Sequence, residues 1–386
     1  MTRAVTHLNK LRIPSDYILK VWVLAPCIES NDDNIDYYYD FSQSIAEYSA
    51  VFKLLNIEWQ WAPVNLKNYK QTIELVNLEK LGGNYFPIVL NLCDGDEING
   101  TPGISVIKQL EESEIIYTGA DEFFYDITTS KIPMKKAFDA ANVPNAAWTT
   151  FHDININATD IFNTIGAPII LKPAVSGGSM GVGIKNVVDN NEQLLILLKD
   201  LFEGYRGWNL TSDGIVAEKF ISGPEYTTFI SGSFNNPEDA VIYTPVERVF
   251  HDSLPDKEKF LSFDRLWEIY ETESAMPKDG NFYEYQLPPA HLIEPIKKLS
   301  WEAYVATKGK GYTRVDIRMD KETQELFVLE VNAQCGISED ENFTSIGAIL
   351  RISEKSFSQL IIELLNDALQ RGESKIFSYS TKKIVS

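Results

Sequence analysis

Nowhere in this 386-residue chain does an apolar run reach the roughly 20 residues that a bilayer-crossing helix needs, so a transmembrane helix is excluded. Arg3, Lys10 and Arg12 are followed by no apolar segment, so a secretory leader is not expected. Cysteine is scarce. Cys27, Cys93 and Cys335 are odd in number, far apart and without CxxC spacing, which excludes a disulfide framework and fits a reducing, cytoplasmic setting. His7, His152, His251 and His291 are scattered, so zinc-ligand spacing is absent. Basic charge is also short: 35 Lys and Arg against 55 Asp and Glu give a formal net charge of −20. That balance opposes binding to nucleic acid, whose phosphates demand a basic surface. Internal repeats and low-complexity tracts are missing too.

What remains is an ordinary globular composition, 44% hydrophobic and 23% charged. The length exceeds one comfortable core and predicts two or three domains. The first, 1–128, alternates short apolar runs (Tyr17–Leu24, Phe86–Leu92) with a helix over Ser42–Leu55 that carries Ile45, Tyr48, Phe52 and Leu55 on one face. Strands alternating with helices predict a parallel, Rossmann-like sheet whose ligand groups lie at strand C-termini, where Asp94–Gly100 (DGDEING) falls. A second unit, 129–226, opens on a helix capped by Thr129 or Ser130 and running to Asn142. It continues with strands Pro168–Lys172 and Ile215–Phe220, separated by a helix with Leu194, Leu195, Leu198, Leu201 and Phe202 on one stripe. The third, 227–386, holds strands near Tyr226–Ser231 and Ala240–Thr244 and a long polar, aromatic insertion from about Glu247 to Pro288. A helix from Pro289 and a closing helix with Phe357, Leu360, Ile361, Leu364 and Leu365 inward, ending at Gly372, complete it.

Residues 312–319 (YTRVDIRM) alternate polar and apolar, and 326–332 (LFVLEVN) place Glu330 and Asn332 on one face. A hairpin turning at Thr323 sets Asp316 opposite Glu330 and Arg314 opposite Asn332, with cross-strand neighbours about 5 Å apart. Like charges so placed need neutralising. Mg²⁺ does this with one or two carboxylates, sharing its remaining sites with phosphate oxygens and water. Arg314 then faces charge developing in a transferring phosphoryl group. The competing reading is a solvated sheet face with cross-strand ion pairs.

Two neighbouring segments bear on that choice. Ser176-Gly177-Gly178-Ser179-Met180-Gly181-Val182-Gly183 follows the strand ending at Lys172, and glycines let backbone N–H groups approach phosphate oxygens. A flexible turn is the alternative; no Gly-Lys-Ser/Thr follows, so it is not a Walker loop. Glu218-Lys219-Phe220-Ile221 has backbone groups able to pair with adenine's edge, and Glu225 can accept from ribose hydroxyls. Surface acids are the plainer reading of Glu218 and Glu225.

Taken in order, Tyr117-Thr118-Gly119, Ser130-Lys131, Ile170–Pro173, Ala217–Lys219, Ser222–Glu225, Arg314-Val315-Asp316 and Leu329–Asn332 resemble the ATP-grasp superfamily, and within it the D-alanine–D-alanine ligases. The resemblance implies an α/β and α+β fold in which a Rossmann-like N-terminal domain precedes two α+β lobes that sandwich ATP. Lys131 and Lys172 then meet phosphates, the loop Gly177–Gly181 closes over them, Glu218 to Ile221 frame adenine and Glu225 takes ribose. Asp316, Glu330 and Asn332 hold Mg²⁺ (or Mn²⁺ in its place), and Arg314 with the Gly336 N–H stabilises a tetrahedral oxyanion. The implied partners are a small carboxylate and an amine, and the implied assembly is a homodimer.

Departures concern the substrates. The family's ammonium-gripping glutamate has no match in Ala25-Pro26-Cys27-Ile28-Glu29-Ser30, and its phosphate-loop serine is Gly178 here. Arg265 is the candidate for its lid lysine. After Asn332, Thr-x-Pro-Gly-Met-Thr-x-x-Ser becomes Ala333–Glu341 (AQCGISEDE), so the acceptor-binding serine gives way to acids 339–341. A product of two D-alanines is therefore not expected; an acceptor lacking a carboxylate there, or carrying positive charge, suits the acidic stretch, with a solvated loop as the alternative. Cys335 invites a nucleophile reading, which no nearby histidine supports. An ATP-binding regulatory homologue and a kinase-like enzyme are the competing functions.

Overall fold

The computed structural model describes residues 11, 13–14, 16–28, 40–154, 161–204, 207–270, 273–276 and 280–376. Arg3, His7, Lys10, Arg12, Glu29 and Ser30 lie outside them.

The first sheet is parallel, in the order β2-β1-β3-β4, with β1 Ile18–Pro26, β2 Glu58–Val64, β3 Tyr85–Asn91 and β4 Ile116–Tyr117. Its inner strands are continuously apolar because both faces are covered. Val21 and Val23 pack in one core with helix α1 (Ser42–Leu55), whereas Trp22 and Leu24 face the other with α2 (Tyr69–Gly82) and α3 (Ile104–Glu112). On α1, Tyr48, Val51, Phe52 and Leu55 point inward, but Ile45 is exposed at the stripe's margin. β3 stops at Asn91, so DGDEING begins just past its C-terminal end, as expected.

The helix expected to start at a Thr129 or Ser130 cap and run to Asn142 is present, and a separate, shorter helix precedes it. Asp121 caps α4 (Glu122–Thr129) and Ser130 caps α5 (Lys131–Ala141), which Asn142 ends in the left-handed conformation. The second sheet is antiparallel, β5-β8-β6-β7, formed by β5 Trp148–Phe151, β6 Ile169–Pro173, β7 Val187–Val188 and β8 Ile215–Lys219. The short helix α6 (Ile161–Thr164) and helix α7 (Asn191–Glu203) pack against it. Leu194, Leu197, Leu198 and Leu201 make the inward stripe of α7, while Leu195 faces outward.

The third sheet runs β12-β11-β9-β13-β14, with β10 paired to β9. Its strands are β9 Glu225–Ser233, β10 Val241–Ile242, β11 Val246–Phe250, β12 Tyr283–Gln286, β13 Lys310–Met319 and β14 Leu326–Ala333. The insertion is thus built around structure: VERVF alternates buried and half-buried positions as β11, the chain returns as β12, and the helix α8 (Phe263–Trp267) lies between them. Helix α9 (Ala290–Ala306) covers β13 and β14. Helices α10 (Ser345–Ile352) and α11 (Phe357–Arg371) bury Ile346, Phe357, Leu360, Ile361 and Leu364 in the same core as β1 and β3. The chain's last helices therefore clamp its third sheet to its first. Among the described residues no helix is long and apolar enough to cross a membrane.

Candidate active site

The β13–β14 register is the one the alternation predicts: Arg314 pairs with Asn332 and Asp316 with Glu330, and a bulge follows before Ile317 meets Val328. Asp316 is buried, and its carboxylate accepts from Arg314 Nε at 3.1 Å and Nη2 at 2.9 Å, Asn332 Nδ2 at 2.9 Å and Thr227 Oγ1 at 2.9 Å. Burial disfavours the Arg314 charge, but Asp316 outweighs it and the guanidinium's pKa rises. Glu330 stands 3.4 Å from Lys131 Nζ, which also donates to the Ser176 carbonyl at 3.3 Å. Two opposed carboxylates are thus balanced by two cations. Because Asn332 donates through Nδ2, its Oδ1 remains the atom for a hard cation. Among the described residues no three His, Cys, Asp or Glu side chains cluster as metal ligands. The donor set of two carboxylates and an amide fits magnesium shared with phosphate oxygens.

Lys172, at the end of β6, and Lys135, one turn beyond Lys131 on α5, grip the two oxygens of Glu218; the Lys135 contact is 2.6 Å. Burial pushes the Glu218 carboxyl up, yet the two ammoniums prevail and hold it at about 2. Glu218 thus orients Lys172 beside Glu330 as a fully ionised carboxylate. Sequence reading overlooked Lys135, though its four-residue spacing from Lys131 places both on one face of α5.

The Gly-rich loop is held from outside. Trp267 Nε1 donates to the Gly178 carbonyl at 2.9 Å, Ser179 Oγ to the Leu261 carbonyl at 2.9 Å, and Phe263 N–H to the Val182 carbonyl at 2.8 Å. Gly178, Ser179 and Gly181 have positive φ, and among the described residues the N–H groups of Gly177, Gly178 and Ser179 find no acceptor. Such a run of free N–H groups makes an anion-binding concavity. Met180 closes the turn by donating to the Gly177 carbonyl at 3.0 Å.

The strand expected to frame a base is partly engaged. Lys219 and Phe220 give their N–H groups to Ala147 and Pro168, and Arg318 Nη1 takes the Ile221 carbonyl at 3.1 Å. Glu225 is buried between Arg248 and Arg318, so it keeps only the lone pairs those guanidiniums leave. The expectation for Arg265 fails. It is buried within the insertion, paired with Glu258 and Glu273 and stacked on Phe282, because its helix turns it inward.

After β14 the chain turns at Gln334, whose Nε2 donates to the Asn91 carbonyl while Oε1 accepts the Ala120 N–H at 3.0 Å. A Cβ on Gly119, at φ +93°, would strike that side chain, so only glycine fits there. This lock brings the end of β3 to the loop of Cys335 and Gly336, where the Gly336 N–H finds no acceptor among the described residues. The Cys335 thiol is pushed up to about 12, chiefly by burial and against the pull of Arg314, so it stays protonated and is no nucleophile. The acids that follow are less free than the sequence suggests: Asp340 caps the turn through Asn342 and Phe343, and Glu341 lies 3.5 Å from Arg351. Glu339 and Glu341 stay exposed, and the Glu339 carboxyl is raised by burial and by Glu47.

Residues 137–366 match the family model described as D-ala D-ala ligase C-terminus. The chain is 26% identical over 258 residues to the D-alanine–D-alanine ligase of Synechococcus sp., covering 67% of this chain and 69% of that one. It is 25% identical over 324 residues to the Clostridium beijerinckii ligase, covering 80% and 94%. With the Borrelia duttonii ligase, identity is 27% and the match spans 64% of that protein. The fold superposes on the D-alanine–D-alanine ligase of Bacillus anthracis complexed with ATP at a TM-score of 0.63, with 17% identity, covering 92% of this chain and 99% of that one. D-alanyl-alanine synthetase A of Vibrio cholerae gives 0.63 at 14% identity, covering 91% and 98%. The chain therefore belongs to the D-alanine–D-alanine ligase C-terminus family and is an ATP-grasp enzyme of the class that forms C–N bonds.

Proposed function

We propose that this enzyme phosphorylates a substrate carboxylate with ATP and joins the resulting acyl phosphate to an amine, in a chain organised as three units over 1–128, 129–226 and 227–386. The observation that carries this reading is the pairing of Asp316 with Glu330, flanked by Arg314 and Lys131. Plain nucleotide binding needs no such set, which tells against a regulatory homologue.

Lys131, Lys172 and the free N–H groups of Gly177 to Ser179 hold the phosphates, and the loop through Met180 and Gly181 covers them. Glu218 to Ile221 border the base, with Glu225 near ribose. Asp316, Glu330 and Asn332 are the residues that would hold Mg²⁺ or Mn²⁺. Bound there, the ion supplies Lewis-acid charge to the phosphate oxygens. A substrate carboxylate oxygen attacks the γ-phosphorus and the bond to ADP breaks. The amine nitrogen then bonds to the acyl carbon, loses a proton, and phosphate leaves. Arg314 and the Gly336 N–H stabilise the oxyanion between those events. The protein's part is to position and neutralise.

The relatives are named for joining two D-alanines. We assign this chain a different acceptor, because the serine that would bind an acceptor carboxylate is Glu341 here. Phosphate release with ATP and Mg²⁺ across a matrix of carboxylic acids and amines, ethylenediamine and D-alanine among the acceptors, tests both statements. ADP formation and phosphate release that need acid and amine together support the ligase, ADP formation with acid alone and no phosphate released would make it a kinase, and preference for D-alanine as acceptor would overturn the substrate assignment. A homodimer in a cytoplasmic setting completes the proposal, and sedimentation reads the assembly.

A further inference from the structure

The chain that leaves β14 carries the Gly336 N–H and then the acids 339–341 before α10 begins. Both ends of this loop are fixed. Gln334 locks one end to Asn91 and Ala120. At the other, Thr344 caps α10 while its Oγ1 donates to the Asp340 carbonyl at 2.7 Å. A Cβ on Gly347 would strike that same carbonyl, so the loop lies directly against α10.

Its middle is held by a helix from the other end of the chain. On α1, Gln43 and Glu47 share a face at four-residue spacing, and Tyr48 stands beside them. These side chains take consecutive loop residues. Tyr48 Oη donates to the Ile337 carbonyl at 3.3 Å, and Glu47 Oε1 accepts from Ser338 Oγ at 2.8 Å. Glu47 Oε2 accepts the Glu339 N–H at 3.3 Å, and Gln43 Nε2 donates to Asp340 Oδ2 at 3.2 Å. Tyr48 is buried and packs on Phe357 with ring centroids 5.6 Å apart, which makes α1 a firm platform.

Glu47 is the unusual member of this set. It is buried and pairs with no cation among the described residues; hydrogen bonds alone satisfy it, Gln43 Nε2 adding a third at 3.0 Å. A buried carboxylate is expensive unless donors surround it. Both of its oxygens accept from the loop. A glutamine of the same shape offers one acceptor and one donor, so it cannot hold Ser338 Oγ and the Glu339 N–H together.

We infer that Glu47 is a positioning residue for the acceptor amine: through Ser338 and the Glu339 N–H it holds Gly336 to Asp340 in the shape the amine meets. This rests on the ligase reading, in which that loop faces the acceptor, and adds to it a residue of the first unit that acts through the loop.

The test measures phosphate release by the full chain with ATP, Mg²⁺ and the acid–amine pair that reacts fastest in the matrix above. Glu47→Gln should raise the KM for the amine by about 10- to 100-fold, the loss expected when a hydrogen bond to a buried charge goes. The KM for ATP should stay within about twofold, since the phosphate loop and its lysines touch neither α1 nor this loop. Ser338→Ala, which deletes one donor at a half-buried position, should raise the amine KM in the same direction. The double variant should be no worse than Glu47→Gln, because both changes break the same contact. An unchanged amine KM in both single variants, additive effects in the double variant, or a fall in kcat with every KM unmoved would overturn the positioning role and leave the ligase reading intact. No amine-dependent phosphate release with any pair would remove the ligase reading itself, and this role with it.

Discussion

Lys135 Nζ lies 2.6 Å from one oxygen of Glu218 while Lys172 takes the other, so a single buried carboxylate holds two ammoniums in place. Removing a carboxylate from such a site leaves uncompensated buried charge, which costs about 3–5 kcal/mol. Glu218→Gln should therefore destabilise the protein by that amount. Lys135→Met leaves Glu218 paired with Lys172 and should cost roughly half as much, given the same principle. Urea unfolding of the two variants checks the order; a larger loss in Lys135→Met would refute the shared-carboxylate arrangement.

The same group predicts a pH dependence. Its folded pKa of about 2 lies below the ordinary 4.5, so its contribution is fully present above 4.5 and disappears as pH falls toward 2. The stability gap between wild type and Glu218→Gln should be constant near neutrality and narrow across that acid window. Urea midpoints measured along a pH series read it directly, and a gap that widened with acid would have the wrong sign.

Asp316→Asn and Glu330→Gln should each lower turnover by at least about 100-fold, since charge stabilisation by a bound metal contributes several kcal/mol. Both should remain folded, as Arg314 and Lys131 keep other neighbours. Turnover against Mg²⁺ concentration should show a raised requirement in both variants. Wild-type turnover in either would remove these carboxylates from the metal site.

Trp267→Phe deletes the hydrogen bond that holds the Gly178 carbonyl, while Gly178→Ala places a Cβ 2.8 Å from the Trp267 ring at a φ of +54°. A lost hydrogen bond is worth about 1 kcal/mol, so Trp267→Phe should raise the KM for ATP about fivefold. Gly178→Ala adds backbone strain of about 1–2 kcal/mol and should be worse. Steady-state kinetics with ATP varied distinguishes them; an unaffected KM in both would detach the loop from phosphate.

Much of this site was legible because the sheet's period of two is local. YTRVDIRM and LFVLEVN contain their own register, and a turn at Thr323 sufficed to set Asp316 against Glu330. Hidden features depend on distant partners. The spacing from Lys131 puts Lys135 on the same face of α5, but nothing local shows that its partner is Glu218, 83 residues away. Gln334 reads as a polar residue in a turn until Asn91 and Ala120 meet it. The stretch 339–341 reads as free acidity, whereas the turn takes Asp340 and Arg351 takes Glu341. Arg265 misled for a related reason: it lies on a five-residue helix whose burial no periodicity reveals.

Oxygen labelling tests the proposed chemistry most directly. A donor carrying ¹⁸O in its carboxylate is turned over with ATP, Mg²⁺ and an amine, and the released phosphate is examined by mass spectrometry. Attack of the carboxylate on the γ-phosphorus requires one ¹⁸O in each phosphate released. Phosphate free of label, with both heavy oxygens accounted for elsewhere, would rule out the acyl phosphate.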